Sequence, residues 1–311
     1  TYSAIEGRAP RAADGTLLQD RWGQAPQWTG SRARVEPGYV EGRAAGTVNV
    51  LGQRAVLDGR LIAGTVAGER QQTGKDSLAA TATLELGRRS YGDVTSGPVF
   101  GSSLFADAAA FGDFSVVSRA TLLDEAFWAN ATSAALDAPG RISAATLNDA
   151  GFGNIYITSK GTLQQEADAD LALRAQSRLE WRTTGEGGIT LNADTRGAGA
   201  SVLAQTADGA GLAGGGVTLA AGQTIDVAGN WVNRALDGAA TPAAVAGGSV
   251  QLLSAHGLNV AAGSTIDVSG GVTVSASGAV TGTAAGRIAL ESNRTVRSTN
   301  VPLSPMIIDG K

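Results

Sequence analysis

The side chains able to support catalysis or metal binding are few in this chain. The sequence contains one histidine, His256, and no cysteine. A structural zinc site requires several Cys or His ligands, and a Ser-His-Asp triad would have to use His256 as its base. The chain has no Gly-x-Ser-x-Gly nucleophile elbow, and His256 lies between Ala255 and Gly257, a pattern typical of a turn. We therefore predict no metal site, no triad and an exposed His256.

Two aspartates occupy the same place in two copies of a short phrase. Two carboxylates at related sites can form an acid/base pair, which makes Asp226 and Asp267 candidates for catalysis. In an alternating strand, however, Asp226 lies on the face opposite Ile225 and Val227. That phase predicts a solvated outer face, with the two aspartates about two coils of the chain apart. We interpret them as surface residues and predict that the chain is not an enzyme.

A glycine-rich string resembles a cofactor site. Gly-Ala-Gly-Leu-Ala-Gly at 209–214 matches the dinucleotide-binding fingerprint. That fingerprint works only when a helix follows the glycines, because the amino end of the helix binds the pyrophosphate. Here two more glycines and the strand-like Val-Thr-Leu at 217–219 follow. The calcium-binding nonapeptide Gly-Gly-x-Gly-x-Asp is also missing from the sequence. We predict a glycine-rich corner and no cofactor.

Aromatic side chains are the remaining candidates for contact with a partner. Aromatic rings can stack on sugars or anchor a protein partner, and the candidates are Phe127, Trp128, Trp181 and Trp231. The alternative is that these rings cover the ends and loops of the fold. No basic stripe is present, so the sequence does not indicate a nucleic-acid partner.

Internal repeats predict the elements that must position these residues. Thr-Ile-Asp-Val-Ala-Gly at 224–229 recurs as Thr-Ile-Asp-Val-Ser-Gly at 265–270, an offset of 41 residues. The segment around Phe111 resembles the segment around Phe152, again 41 residues later. Short glycine-led phrases with alternating polarity, such as Gly-Gly-Val-Thr-Leu at 215–219, recur along the chain. Two unrelated pairs with one offset predict a unit of about 20 residues taken twice, within the period range of solenoids.

A solenoid explains this pattern physically. Each coil would bury a few Val, Ile, Leu and Ala side chains, while its backbone pairs with the coils above and below, about 4.8 Å away. Glycine would be needed at corners where φ is positive. A β-sandwich also contains many short strands, but it does not predict a repeated offset. We predict an all-β parallel β-helix (solenoid) with four inward-facing side chains in the clearest repeat: Ile225, Val227, Ile266 and Val268.

We predict three parts of the chain. Residues 1–45 form an irregular amino-terminal segment or cap, 46–290 form the β-helix, and 291–311 form a proline-containing linker. Within the β-helix, a divergent aromatic-rich insertion around 88–139 and an inserted loop at 231–246 depart from the repeat.

The bulk composition excludes several classes of protein. The 311 residues carry a net charge of −4, and only 17% are charged, against about 25% in a typical globular domain. No apolar run approaches the roughly 18 residues that a membrane-spanning helix needs. No secretory signal peptide is visible, so we expect an internal segment of a longer protein. The lack of cysteine favours export in the unfolded state, because disulfides formed early would block passage through a pore.

Three phrases resemble the filamentous-haemagglutinin-like exoproteins. They are Ala-Ala-Gly-Ser-Thr-Ile-Asp-Val-Ser-Gly-Gly at 261–271, Ala-Gly-Phe-Gly-Asn-Ile at 150–155 and Arg-Val-Glu-Pro-Gly-Tyr-Val-Glu-Gly at 34–42. The resemblance covers most of 30–295. It implies a right-handed parallel β-helix that a Gram-negative bacterium exports by two-partner secretion, through an outer-membrane transporter, to the medium or the bacterial cell surface.

The resemblance also implies a role in adhesion or cell contact. We therefore expect a structural or adhesive segment of a large exoprotein that supports cell attachment, with a host-cell or glycan receptor as the candidate partner. Two alternatives remain open. A polysaccharide-active β-helix enzyme would need Asp, Arg or Lys clustered on one face. A passive stalk would present a toxin domain located elsewhere in the parent protein.

Overall fold

In a computed structural model of the chain, the described residues form mainly β structure. The structure describes residues 42–66, 68, 80–87, 111–119, 122–123, 139–183, 185–206, 215–237, 244–292 and 306–308. These residues all belong to one unit of the chain, Gly42–Lys311. Most of the predicted amino-terminal segment and of the predicted insertion lies outside the described residues.

The two largest sheets are wholly parallel. The first sheet contains seven strands, in the order β1 (Thr47–Val50), β3 (Thr83–Leu86), β6 (Asn154–Ser159), β9 (Arg178–Thr183), β12 (Ser201–Gln205), β16 (Ser249–Leu253) and β21 (Arg287–Glu291). The second sheet contains eight strands, in the order β2 (Val56–Leu57), β5 (Gly140–Ser143), β4 (Phe114–Val117), β7 (Leu163–Gln165), β10 (Ile189–Leu191), β13 (Val217–Leu219), β17 (Leu258–Val260) and β22 (Met306–Ile308).

Two smaller sheets complete the described strands. The third sheet is parallel, in the order β18 (Thr265–Asp267), β14 (Thr224–Asp226), β11 (Thr195–Arg196) and β8 (Leu171–Ala172). The fourth sheet contains β15 (Trp231–Asn233), β19 (Val272–Val274) and β20 (Val280–Gly282). Among the described strand pairs, only β19 with β20 is antiparallel.

From β6 onward the chain passes repeatedly through the first, second and third sheets in that order. We call each such passage a structural repeat; β6, β7 and β8 form one, and β9, β10 and β11 form the next. Arg178 of β9 pairs with Asn154 in the preceding repeat and with Ser201 in the following one. A repeat therefore needs only 24 or 23 residues when nothing is inserted into it.

The 41-residue offset corresponds to one structural repeat, whereas the sequence predicted two coils of about 20 residues. Ile225 of β14 pairs directly with Ile266 of β18, its equivalent 41 residues later. The extra length comes from an excursion after β14, in which β15 and a one-turn helix, α2 (Arg234–Asp237), leave the regular path. The predicted loop at 231–246 therefore begins as a strand and a helix.

The resemblance between the Phe111 and Phe152 segments does not reflect a structural repeat. Phe111 bridges to Ser159 and leads into β4 of the second sheet, whereas Phe152 precedes β6 of the first sheet. The shared pattern instead follows from shared burial. Phe111 and Phe114 are fully buried with ring centroids 4.8 Å apart, and Phe152 is also buried.

The predicted linker also contains a strand. Met306–Ile308 pairs in parallel with Leu258–Val260 and becomes an edge strand of the second sheet. The sequence analysis was wrong there because the nearby prolines outweighed a short triplet of apolar residues.

The apolar core follows the alternation that the sequence predicted. Ile225 and Val227 are fully buried, and Ile266 and Val268 pack against the same core. The neighbours on the opposite face, Asp226 among them, are only partly buried. The inward direction of these four side chains is therefore confirmed.

Glycine has two different roles in the repeats. Gly222 and Gly263 are equivalent turn residues with φ of 74° and 72°, where a side chain would strain the backbone. Gly248, which opens β16, does not have a positive φ. A Cβ atom there would overlap the backbone of Ala200 in the preceding repeat. The glycines that open strands thus allow close approach of backbones, rather than the positive φ that the sequence analysis assigned to them.

A helix protects one edge of the third sheet. Helix α1 (Ala144–Ala150) is capped by Ser143 and by Gly151, which has a φ of 81°. Its Asn148 side chain accepts a hydrogen bond from Ala172 N (2.8 Å) and donates one to Asp170 O (2.9 Å). The amide thus satisfies backbone groups at β8 that would otherwise lie open at a sheet edge.

Replacing Asn148 with leucine is expected to lower the free energy of unfolding by about 1–2 kcal/mol, because two hydrogen bonds to the edge strand are lost. Urea unfolding followed by circular dichroism measures the change. The matched control is Asp149→Leu at the next, exposed position of α1, which should change stability by less than about 0.5 kcal/mol. Equal effects of the two substitutions would contradict an edge-capping role for Asn148.

Candidate functional site

The four aromatic residues predicted to contact a partner have different outcomes. Phe127 and Trp128 lie outside the described residues. Trp181 is fully buried, on the inward face of β9. No described residue accepts a hydrogen bond from its indole N–H. A wholly buried ring presents no surface, so Trp181 is unavailable to a partner. Trp231 is 70% exposed and is the one of the four that the structure leaves open.

Trp231 lies on an uncharged, largely apolar face of the fourth sheet. Strand pairing places Val272 and Gly282 beside it in one row, and places Asn233, Val274 and Val280 in the next row on the same face. The intervening Val232 is buried, so this face is directed outward. We call these six residues the Trp231 face.

The Trp231 face is open at both of its ends. Val280 is 69% exposed, and a Cβ atom added at Gly282 would meet no other atom within 4 Å. Leu236 of the following helix is also exposed. Exposed apolar side chains gathered in one place are typical of a binding surface, whereas isolated ones are not informative.

A charged cluster lies on the outward face of the first sheet. Glu180 of β9 is fully buried, and its two carboxylate oxygens bind Arg178 Nε (2.5 Å) and Arg182 Nε (2.9 Å). Arg182 also donates to Gln205 Oε1 at 2.8 Å. The sequence signal for this cluster was available, because Arg-Leu-Glu-Trp-Arg at 178–182 alternates charged and apolar residues with the period of a strand. The sequence analysis missed it by considering only aspartates as candidate carboxylates.

The arginine-bound carboxylate is poorly suited to acid/base chemistry. Glu85, Tyr156 and Glu180 occupy in-register positions on three neighbouring strands of the first sheet. The two glutamates are thus about 10 Å apart along the sheet, near the roughly 6.5–9.5 Å separation in inverting glycosidases. Both oxygens of Glu180 are already bound by guanidinium groups, so neither is free to exchange a proton with a substrate.

The cluster predicts an asymmetric response to mutation. Replacing Arg178 and Arg182 together with methionine should cost about 3–5 kcal/mol, because a fully buried carboxylate loses both ion-pair partners. Glu180→Gln should cost only about 1–2 kcal/mol, because both arginines are partly exposed and can be solvated. Equal losses in chemical unfolding would show that the carboxylate is not the desolvated member of this cluster.

Asp226 and Asp267 are neighbours and not two coils apart, because β14 and β18 pair directly. Each carboxylate caps its own turn: Ala228 N donates to Asp226 Oδ1 and Ser269 N donates to Asp267 Oδ1. The side chain and backbone N–H of Ser269 hold the pKa of Asp267 below its usual value. Both side chains thus have local structural roles.

The remaining candidates place no further chemistry together. The glycine string at 209–214 is outside the described residues, but β13 follows it, so a strand stands where a dinucleotide site would need a helix. His256 lies in the bend between β16 and β17 and is half-buried, not exposed as predicted. In the part of the chain that the structure describes, no cluster of His, Cys, Asp and Glu could hold a metal ion.

The described helices are too short or too polar to cross a lipid bilayer. No protein-family model, no curated protein and no solved structure matches this chain. The resemblance to filamentous-haemagglutinin-like exoproteins therefore stays a prediction from the sequence phrases alone.

Proposed function

We propose that the chain is a structural and adhesive segment of a secreted bacterial exoprotein, built on a right-handed parallel β-helix. Its structural repeats pass through three parallel sheets in a fixed order and share one apolar core. Such stacking extends a protein by adding similar units, each stabilised mainly by its neighbours. This architecture suits a long surface protein of the filamentous-haemagglutinin-like type.

The proposed handedness has a physical basis. Consecutive strands of the first sheet, such as β6 and β9, are parallel and joined by a connection through the other two sheets. Crossovers between parallel strands of one sheet are right-handed in about 98% of cases, because of the twist of the strands. An experimental structure with left-handed repeats would refute this part of the proposal.

The observation that carries the adhesive role is the contrast between the repeats and the Trp231 face. Along the repeats, the best-defined charged side chains bind one another, as in the Arg178–Glu180–Arg182 cluster and the Arg196–Asp194 pair. A regular surface of this kind offers little specificity. The excursion at β15 instead exposes apolar side chains, and binding surfaces commonly lie on segments that depart from a rigid scaffold.

In this proposal the cysteine-free chain leaves the cell unfolded through an outer-membrane transporter of the two-partner type and folds outside. The parallel repeats then support contact with a host cell or a glycan. A stalk that presents a toxin domain would share the same architecture but would not itself attach to cells.

A bead-attachment assay tests the adhesive role. Beads coated with the whole chain should bind epithelial cells or immobilised glycans, and soluble chain should compete. Beads coated with a variant unable to fold, such as Gly248→Val, are the matched control. Attachment no greater than that of the control would refute adhesion and favour the stalk.

A second assay separates the enzyme alternative, which the in-register glutamates favour. The whole chain is incubated with pectin, hyaluronan or chitin while new reducing ends are measured. We expect no turnover. Turnover that Glu85→Gln abolishes would overturn the proposal in favour of a polysaccharide-active enzyme.

A further inference from the structure

We propose that the Trp231 face binds a neutral glycan chain whose pyranose rings present flat C–H faces, as β-linked glucose and N-acetylglucosamine chains do. This inference rests on the proposed adhesive function and names the partner class of that surface. The sequence and structure carry the argument through the size, the charge and the shape of the face.

The size of the face disfavours a protein partner. It contains one tryptophan and three valines, and two of the valines are half-buried. A tryptophan contributes about 150–250 Å² of contact, whereas a stable protein interface needs about 800 Å² on each partner. A second copy of this chain would thus gain too little buried area here to form a stable dimer.

The charge of the face selects among small ligands. None of its six residues is charged, so it offers no counter-ion for a uronate or a sulfated sugar. Asn233, in the same row as Val274 and Val280, carries an amide that can donate to and accept from sugar hydroxyls. A neutral, hydroxyl-rich ligand fits this combination.

The shape of the face suits stacked rings. Gly282 lies two strands from Trp231, with Val272 between them, and has open space where a side chain would stand. The resulting shelf is about 10 Å long, enough for two linked pyranose rings. The negative face of an indole attracts C–H groups that carry partial positive charge, and equatorial hydroxyls leave such groups free on both ring faces.

Titration of the whole chain with chitotriose and cellotriose tests the inference, read by saturation-transfer NMR and calorimetry. We expect binding of both sugars, and weaker binding of tri-galacturonate. Trp231→Ala should weaken binding at least about tenfold, whereas Trp231→Phe should retain much of it. Gly282→Gln should also weaken binding, because its side chain enters the shelf. Ile62→Ala, at a site 77% exposed but outside the face, should have no effect.

The outcomes distinguish this inference from the proposed function. Undiminished sugar binding by Trp231→Ala, no binding of either neutral sugar, or preference for tri-galacturonate would overturn the inference. Self-association in sedimentation that Trp231→Ala abolishes would also overturn it, because a second copy would then occupy the face. Beads carrying Trp231→Ala that still attach to cells would leave the adhesive function standing without this site.

Discussion

Replacing Gly248 with valine is expected to prevent stable folding, with a loss above about 3 kcal/mol in the free energy of unfolding. Gly248 opens β16, and its backbone bonds to both neighbouring repeats: Ser249 N donates to Ala200 O at 3.0 Å, and Arg287 N donates to Gly248 O at 3.0 Å. A Cβ atom there would overlap the backbone of Ala200. Rigid backbone on one side cannot move away as a flexible side chain could, so the repeats would have to separate.

The control for this prediction is Gly46→Val. Gly46 also opens a strand of the first sheet, β1, but a Cβ atom there meets nothing within 4 Å. We expect a change below about 0.5 kcal/mol. Urea unfolding by circular dichroism compares the two variants. If Gly248→Val were as stable as Gly46→Val, the backbones of neighbouring repeats would not lie as close as the structure places them.

The second large effect is expected for Ile225→Asp, which should cost more than about 4 kcal/mol because it buries an unpaired charge in the shared core. Ile225 is fully buried between in-register neighbours, Thr195 of β11 and Ile266 of β18. Ile266→Asp should also destabilise the chain, but by less, because Ile266 lies on an edge strand and is only partly buried. Thermal and urea unfolding measure the difference.

Thr265→Asp is the matched control for both substitutions. Thr265 precedes Ile266 in the same strand but is exposed, so the new carboxylate remains hydrated and stability should change by less than about 0.5 kcal/mol. If all three aspartates had similar effects, the inward direction of Ile225 and Ile266 would be wrong.

Parallel β structure and the inward side-chain phase were predictable from the sequence because both depend on local alternation. The Thr-Ile-Asp-Val phrase specifies its buried face without reference to any other strand. The number of residues in a repeat was not predictable in this way. A 41-residue period that holds an excursion and a 41-residue period of two coils look identical until Ile225 is known to pair with Ile266.

The candidate site was only partly predictable for a related reason. Sequence alone named Trp181 and Trp231 as equivalent candidates, but their exposure depends on which face of a strand each occupies. Trp181 alternates with charged neighbours and points into the core, whereas Trp231 precedes the buried Val232 and points out. The Trp231 face itself required the pairing of β15 with β19 and β20, whose members are about 40 residues apart in the chain.

The strand order of the second sheet has a consequence for how the chain folds. β5 lies between β2 and β4, although it follows both in the sequence. A chain that folds from its amino end must either leave a strand-wide gap beside β2 or pair β2 with β4 and later break that pairing. The repeats from β6 to β18 face no such conflict, because each adds to the one before it. We therefore expect the folding nucleus among these later repeats, with β2, β4 and β5 reaching their native order last.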